Sequence, residues 1–441
     1  MAQPLESIVR SSLNGGLPVL IILVALLAGA FALLVTPREE EPQIVVPSAD
    51  VLIEAPGMSP RQVERLVATP MEKLLAQIDG VEHVYSTSQN GRAVVTVSFY
   101  VGEDREDSLL KLYSKVYSHQ DAVPAGVTGW VVRPIEVDDV PILTATLWSD
   151  DDRVTGFELR RLAEEVALAL QGVPQTNRID VIGGPRREFQ VLLNPMAMAG
   201  RETAIDDVLL ALSRSNIRRL AGTVDQNNTR LQLEVDARVA QVSELADLIV
   251  NVVDGVPVRL GDISEVVDGP AEPGSYTWIQ HATGHPLAGN SFPAVNVTVA
   301  KQQGANAVSV SRDLLAQLDA LQPALFPDGV HVEITRNYGA TANEKIGSLI
   351  SSLGVAVAVV IVLIGITLGW RAALVVALAV PVCYGITLAL DYAAGYTINR
   401  VTLFALILAL GLLVDDPITG VDNIERQLEK AGSSDNAIAA A

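Results

Sequence analysis

Asp415 and Asp416 are adjacent carboxylates at the end of the apolar stretch Val401 to Val414, with no other charge between Arg400 and Asp422. An ionised carboxylate at bilayer depth costs roughly 2.5 kcal/mol or more, so a chain that keeps two side by side is expected to use their titration. The chemistry such a doublet offers is proton uptake and release. Consecutive residues of a helix diverge by about 100 degrees, so the two groups need not share one environment. Their closeness still makes ionising both harder than ionising one, and proton binding then responds to a nearby cation. Loading a proton removes a charge, lets the helix shift against its neighbours and biases the rest of the chain between two forms.

Two other readings use the same residues. Paired acids in a membrane also serve intramembrane aspartyl proteases, but that chemistry needs carboxylates facing one another across a water. Consecutive residues on one helix do this poorly, and Asp391, at a helix end, is a poor second partner. Alternatively the helix starts near Tyr396 and the acids simply mark its cytoplasmic end. Pro417, directly after them, has no amide hydrogen and is expected to kink the helix or open its ladder, next to the small pair Thr419-Gly420.

The element that positions the acids is one of four stretches able to span a bilayer, which takes about 20 mostly apolar residues. They are Leu17 to Val35, Leu349 to Leu368, Ala372 to Leu390 and Val401 to about Val421. Ala28-Gly29-Ala30 resembles a signal-peptide cleavage site, yet the apolar run continues through Phe31 to Val35, which fits a retained anchor better. Arg10, Arg371 (in the turn between the second and third spans), Arg426 and Lys430 all fall on one side if both ends are cytoplasmic, and Arg400 breaks that pattern. Residues from about Pro37 to Lys345 are then extracytoplasmic.

Composition fits this division. The chain has 441 residues, is 49% hydrophobic yet 19% charged, and concentrates its apolar residues at the two ends. Its net charge of -20 excludes nucleic acid as a partner, since phosphates would be repelled. The single cysteine, Cys383, allows no intrachain disulfide, and the five histidines are scattered without metal-ligand spacing.

The middle segment alternates strands and helices. From Asp50 to Ile135 the order is strand (Val51 to Ala55), helix (Ser59 to Ile78), strand (Val81 to Ser88), strand (Ala93 to Tyr100), helix (Asp104 to Ser118) and strand (Gly129 to Ile135), with Asn90-Gly91 in the hairpin turn. This is the ferredoxin-like βαββαβ order. It starts again with a strand (Ile142 to Trp148), a helix (Thr155 to Gln171), a strand (Arg178 to Gly183) and its expected partner Glu188 to Leu193. An insertion from about Asn194 to Asp268 interrupts the second copy, with a helix (Ala204 to Ser215), a hairpin-like arm around Ala221 to Arg230 and short strands near Val256 to Val267. Ala294 to Ala300, Ala305 to Leu321 and Val330 to Thr335 then supply the missing strand, helix and strand.

At this level of detail the chain resembles a known family. Gly395-Tyr396-Thr397-Ile398-Asn399, then Leu408-Ala409-Leu410-Gly411-Leu412-Leu413-Val414-Asp415-Asp416, then Val421-Asp422-Asn423-Ile424-Glu425-Arg426, is similar to the fourth transmembrane helix of the resistance-nodulation-division efflux permeases of the AcrB type. Ala55-Pro56-Gly57, Asp79-Gly80-Val81, Gly304-Ala305-Asn306-Ala307 and Pro381-Val382 also sit where that family has porter and membrane motifs. The resemblance covers the first half of the family's usual length. It implies an α+β membrane protein, a secondary transporter rather than an enzyme, with four transmembrane helices and two ferredoxin-like porter subdomains. Residues 1–36 would be the cytoplasmic N-terminus and first span, 37–140 the first porter subdomain, 141–193 with 269–336 the second, 194–268 the docking insertion with its inter-subunit arm, 337–430 the other three spans, and 431–441 a cytoplasmic tail that ends as if truncated.

The same resemblance implies a homotrimer in the bacterial inner membrane that exports amphiphilic compounds through a periplasmic adapter and an outer-membrane channel. Proton entry would drive it, with no cofactor. Asp415 and Asp416 would be the proton carriers, and the twin acid resembles the multidrug branch rather than the metal-exporting one. In the family the lysine that pairs with these acids comes from a carboxy-terminal half, so that half is an expected partner, and this chain alone is not expected to pump. The competing reading is a truncated or split-gene product serving as a trimeric periplasmic scaffold or a non-functional remnant.

Weaker candidates have plainer explanations. Met196 and Met198 lack a third soft ligand and are read as packing. Arg186-Arg187 and the run Arg214 to Arg219 suit anions but more commonly form solvated or inter-subunit faces. Asp138-Asp139 and Asp150-Asp151-Asp152 would attract cations, and loop solvation explains them equally well. Where the family places pocket phenylalanines this chain offers Val140, Pro141 and Ile182, so no substrate-binding residue is assigned.

Overall fold

A computed structural model describes residues 16–40, 42, 46–226, 228–367 and 369–431. Arg10 and the tail from residue 432 onward lie outside the described residues, as does the side chain of Lys430. The first apolar run is helix α1 (Leu17–Val35), continuous through Ala28-Gly29-Ala30.

Strand β1 (Ser48–Glu54) follows, then a helix in three pieces: α2 (Pro60–Val63), a π-turn over Glu64–Ala68, and α3 (Thr69–Leu75). Ser59 and Gln62 form a capping box at its start, with the Ser59 amide donating to the Gln62 side chain at 2.9 Å. The π-turn accommodates Pro70, which cannot donate to the preceding turn and whose ring would crowd it. Strands β2 (Val81–Gln89) and β3 (Arg92–Phe99), helix α4 (Arg105–Ser118) and strand β4 (Gly129–Ile135) complete the set. The antiparallel sheet has the order β2-β3-β1-β4. Val51, Val95, Val97 and Phe99 pack from its strands against Val63, Leu75 and Leu112 on one face. Burying each such side chain contributes roughly 1.5–3 kcal/mol.

A second sheet is built from β5 (Pro141–Ser149), α5 (Gly156–Leu170) and β6 (Thr176–Ile182) together with strands that arrive much later. Before those come β7 (Arg187–Leu193), α6 (Pro195–Gly200), α7 (Ile205–Arg214), the hairpin β8 (Ile217–Gln226) and β9 (Thr229–Ala237), α8 (Val242–Ala246), β10 (Ile249–Val253), β11 (Val256–Arg259), α9 (Leu260–Ile263) and β12 (Ser264–Pro270). The chain then returns through β13 (Trp278–Gln280), β14 (Ser291–Lys301), α10 (Ala307–Leu325) and β15 (Val330–Asn337). β14 pairs β5 along one edge and both β13 and β6 along the other, while β15 pairs the far side of β5.

This corrects one sequence expectation. The strand at Arg187–Leu193 does not partner Arg178 to Gly183; it pairs antiparallel with β12, from Ser264↔Leu193 to Pro270↔Arg187, and forms the stem of the insertion. The chain leaves the sheet at Gly183 (φ 97°) and Gly184 (φ 63°). A Cβ on Gly184 would stand 2.3 Å from the carbonyl oxygen of Gly156, so only glycine lets the stem depart so close to α5.

Strand β15 runs directly into α11 (Tyr338–Thr367), which therefore starts earlier than the apolar run alone suggests and carries Lys345. Helix α12 (Trp370–Ala393) holds Arg371 inside its first turn rather than in the connection, which turns at Gly369 (φ 91°). Helix α13 (Arg400–Ala431) is the last. Among the described residues, α1, α11, α12 and the Arg400–Ile424 part of α13 are long and apolar enough to cross a membrane. Ile364, Val376, Val380, Tyr384, Leu403, Leu406, Leu410 and Val414 form their shared core.

Candidate functional site

Helix α13 begins where Asn399 caps it. The Asn399 side chain accepts the amides of Val401 (2.9 Å) and Thr402 (3.0 Å), and its own amide donates to Thr397. The start is thus Arg400 rather than the neighbourhood of Tyr396. At 1.5 Å per residue, Asp415 lies about 22 Å along the helix from that end.

Leu403, Leu406, Leu410 and Val414 make the buried stripe of α13, and Leu408 (80% exposed) and Leu412 (79%) mark the opposite side. Asp415 and Asp416 follow Leu412 by three and four residues, so they continue its exposed face. Both are exposed in the chain by itself, and neither side chain has a hydrogen-bond or ion-pair partner among the described residues. The helix does not stop at Pro417 but continues to Ala431. Proline offers no amide to the carbonyl of Leu413, which opens the ladder by one bond. The Thr419 hydroxyl donates to the carbonyl of Asp415 at 2.9 Å just beyond. Arg426 pairs with Asp422 at 2.9 Å one turn apart.

On the packed side, the Tyr384 hydroxyl donates to the carbonyl of Leu406 at 2.8 Å, tying α12 to α13. Helix α1 meets α12 at Gly29 and Gly385, with Ala25 and Ala32 buried beside them.

The weaker candidates separate. Met196 is 84% exposed, whereas Met198 packs against the small core of the insertion. Arg187 grips Asp268 with two hydrogen bonds (2.8 and 2.5 Å), and Arg218 pairs with Glu234 across the arm hairpin, so these cations are matched to acids. Asp151 accepts from Arg153, whose guanidinium and amide hold its carboxyl down at about 2, and Asp150 faces His331 at 3.2 Å.

Sequence reasoning missed two groupings. The histidines are not all scattered: His281 and His331 both pack on Trp148, beside Phe292, and His285 stacks behind His281. His281 reaches Glu333 at 3.2 Å, its ring stacked on His285 with centroids 4.3 Å apart. These residues come from the β13–β14 loop, β5, β14 and β15, so no spacing along the chain announces them. The second grouping is the buried ion pair Glu39–Lys301, whose acid stands in a run of three glutamates. A cleft of about 800 Å³ also opens between the stem and the second sheet, lined by Phe157, Leu192, Tyr276 and the acids Glu188 and Glu272.

Comparison with known proteins agrees with this architecture. A model of the AcrB/AcrD/AcrF family matches residues 16–441. Multidrug resistance protein MdtC of Pectobacterium atrosepticum is 28% identical over 415 residues, which cover 93% of this chain and 39% of that protein. MdtC of Yersinia pseudotuberculosis is 30% identical over the same length and shares of each chain. The chain therefore spans about two-fifths of the length of these curated relatives. A family match running through the sheets, the insertion and all four apolar helices places it firmly: the chain belongs to the AcrB/AcrD/AcrF family of resistance-nodulation-division permeases.

Proposed function

We propose that this chain supplies the amino-terminal half of a proton-driven efflux permease, with Asp415 and Asp416 as its proton carriers. The observation that carries the reading is the position of two adjacent acids within the lipid-length part of α13, on the face that the chain's own helices leave uncovered. A carboxylate there is costly when charged and inexpensive when protonated, so the face responds to the proton gradient. In this reading the cation that answers the acids is contributed by the rest of the permease. The strand orders β2-β3-β1-β4 and β6-β14-β5-β15 support two ferredoxin-like porter subdomains, at residues 37–140 and at 141–193 with 269–336. The insertion at 194–268 would dock an adapter and channel, and its exposed β8–β9 arm would reach a neighbouring subunit of a homotrimer in the bacterial inner membrane. Cargo would be amphiphilic, in keeping with the mixed apolar and acidic lining of the cleft beside the stem.

The test is dye efflux from cells that express this chain together with a carboxy-terminal half. Asp416→Asn and Asp415→Asn are each expected to lower efflux at least tenfold at equal abundance. Unchanged efflux in both variants refutes the assignment.

A further inference from the structure

Glu39 and Lys301 are far apart in sequence, yet the Lys301 ammonium (side chain 7% exposed) donates to the Glu39 carboxylate (5% exposed) at 2.6 Å. The other carboxylate oxygen accepts from the Thr397 hydroxyl at 3.3 Å. Backbone bonds knit the same place together. Glu39 donates to Ile398 (3.1 Å), Ile398 to Pro37 (2.9 Å) and Arg400 to Glu40 (3.2 Å), so the exit of α1 runs alongside the entry of α13 as a short parallel bridge. The amide of Ala307, first residue of α10, donates to Arg38 (3.2 Å).

Lys301 is the last residue of β14, which is held on both edges by other strands. The pair therefore joins a central strand of the second sheet to the two membrane helices α1 and α13. The attachment to α11 is separate: β15 continues straight into that helix, and α10 packs on its start, where Gly339 meets Ala307 and Ser311. Strand β5 lies between β14 and β15, so the Glu39 joint and the run of β15 into α11 hold different strands of the sheet. Burying two charges is expensive, and a buried ion pair is poor evidence of stabilisation; its better-attested use is to specify geometry. Losing one partner leaves an uncompensated charge that the junction must open to hydrate.

We propose that Glu39–Lys301 is a positioning pair: the joint that fixes strand β14 to the entry of α13, so that a displacement of the acid-bearing helix relative to α11 reaches the second sheet as a shift of β14 against β15. The inference goes beyond the proton-carrier reading and holds whether or not Asp415 and Asp416 titrate, since it concerns how the two regions are fastened.

The test is a pair of distance distributions in the full chain, placed in lipid nanodiscs with Cys383→Ala as background and read by electron-electron resonance between spin labels. One pair of labels sits at Ala316→Cys on α10 and Tyr396→Cys at the entry of α13; the control pair sits at Ala316→Cys and Val355→Cys on α11. Lys301→Met is expected to at least double the width of the first distribution while leaving the control narrow. No broadening in the first pair, or equal broadening in both, overturns the proposal, the second outcome marking a general loosening instead of a joint. Should Lys301→Met fail to accumulate, Glu39→Gln preserves side-chain size and an acceptor while removing the charge, and the same two outcomes decide.

Discussion

Gly29 of α1 and Gly385 of α12 touch backbone to backbone: a methyl group on Gly29 would stand 2.3 Å from the Cα of Gly385, and one on Gly385 would stand 2.6 Å from the carbonyl oxygen of Ala25. In lipid, helices associate largely through close packing of this kind, because the surrounding tails are as apolar as the side chains.

Gly29→Val or Gly385→Val therefore has to push the helices apart, since the obstacle is backbone and no rotamer change removes it. Overpacking of this sort costs about 1–3 kcal/mol. The check is thermal unfolding in detergent, where each variant is expected to melt below the parent. Gly411→Ala, which meets open space, is expected to behave like the parent.

Asn399→Ala removes the cap of the acid-bearing helix. Capping losses run to about 1 kcal/mol, or about fivefold in the local opening equilibrium. Hydrogen exchange is expected to quicken at Val401 and Thr402, whose amides the side chain accepts, and not at Tyr384.

Arg187→Ala is expected to loosen the stem of the insertion. Its two hydrogen bonds to Asp268 clamp the ladder at the end nearest the second sheet, and they hold the Asp268 carboxyl below the usual carboxylate range. Exchange of amides in β7 and β12 is expected to rise, with the central strands β5 and β14 unaffected. Equal protection in all four strands contradicts the clamp.

The loop at Asp151 gives a pH prediction. Hydrogen bonds from Arg153 lower this carboxyl to about 2, against roughly 3.9 in an unfolded chain. A depressed folded-state value means the contact stabilises fully above about pH 4 and loses that contribution as pH falls toward 2. Carboxyl NMR titration is expected to find Asp151 at about 2, and Arg153→Ala to return it close to 4.

Local patterns were legible in this chain because they rest on local physics. Runs of about 20 apolar residues give lipid-length helices, Asp104 caps α4 by accepting the amide of Asp107, and Gly91 takes a positive φ of 71° in the β2–β3 hairpin. The strands read at Val51 to Ala55 and Ala93 to Tyr100 fall on β1 and β3, whose Val51, Val95 and Val97 are buried. The same reasoning mispaired Arg187–Leu193, because a strand beside a turn is assigned to its nearest neighbour, whereas its partner β12 lies beyond the whole insertion.

The sequence by itself determined that four helices can cross a bilayer and that two acids ride on the last of them, since transfer of side chains between water and lipid depends on composition over a short window. Only the tertiary structure decided which face those acids occupy, that His281 and His331 meet at Trp148, and that Glu39 buries its charge against Lys301. Each of these depends on segments far apart in the chain arriving at one place, and a contact made by closing a long loop leaves no periodic trace along the sequence.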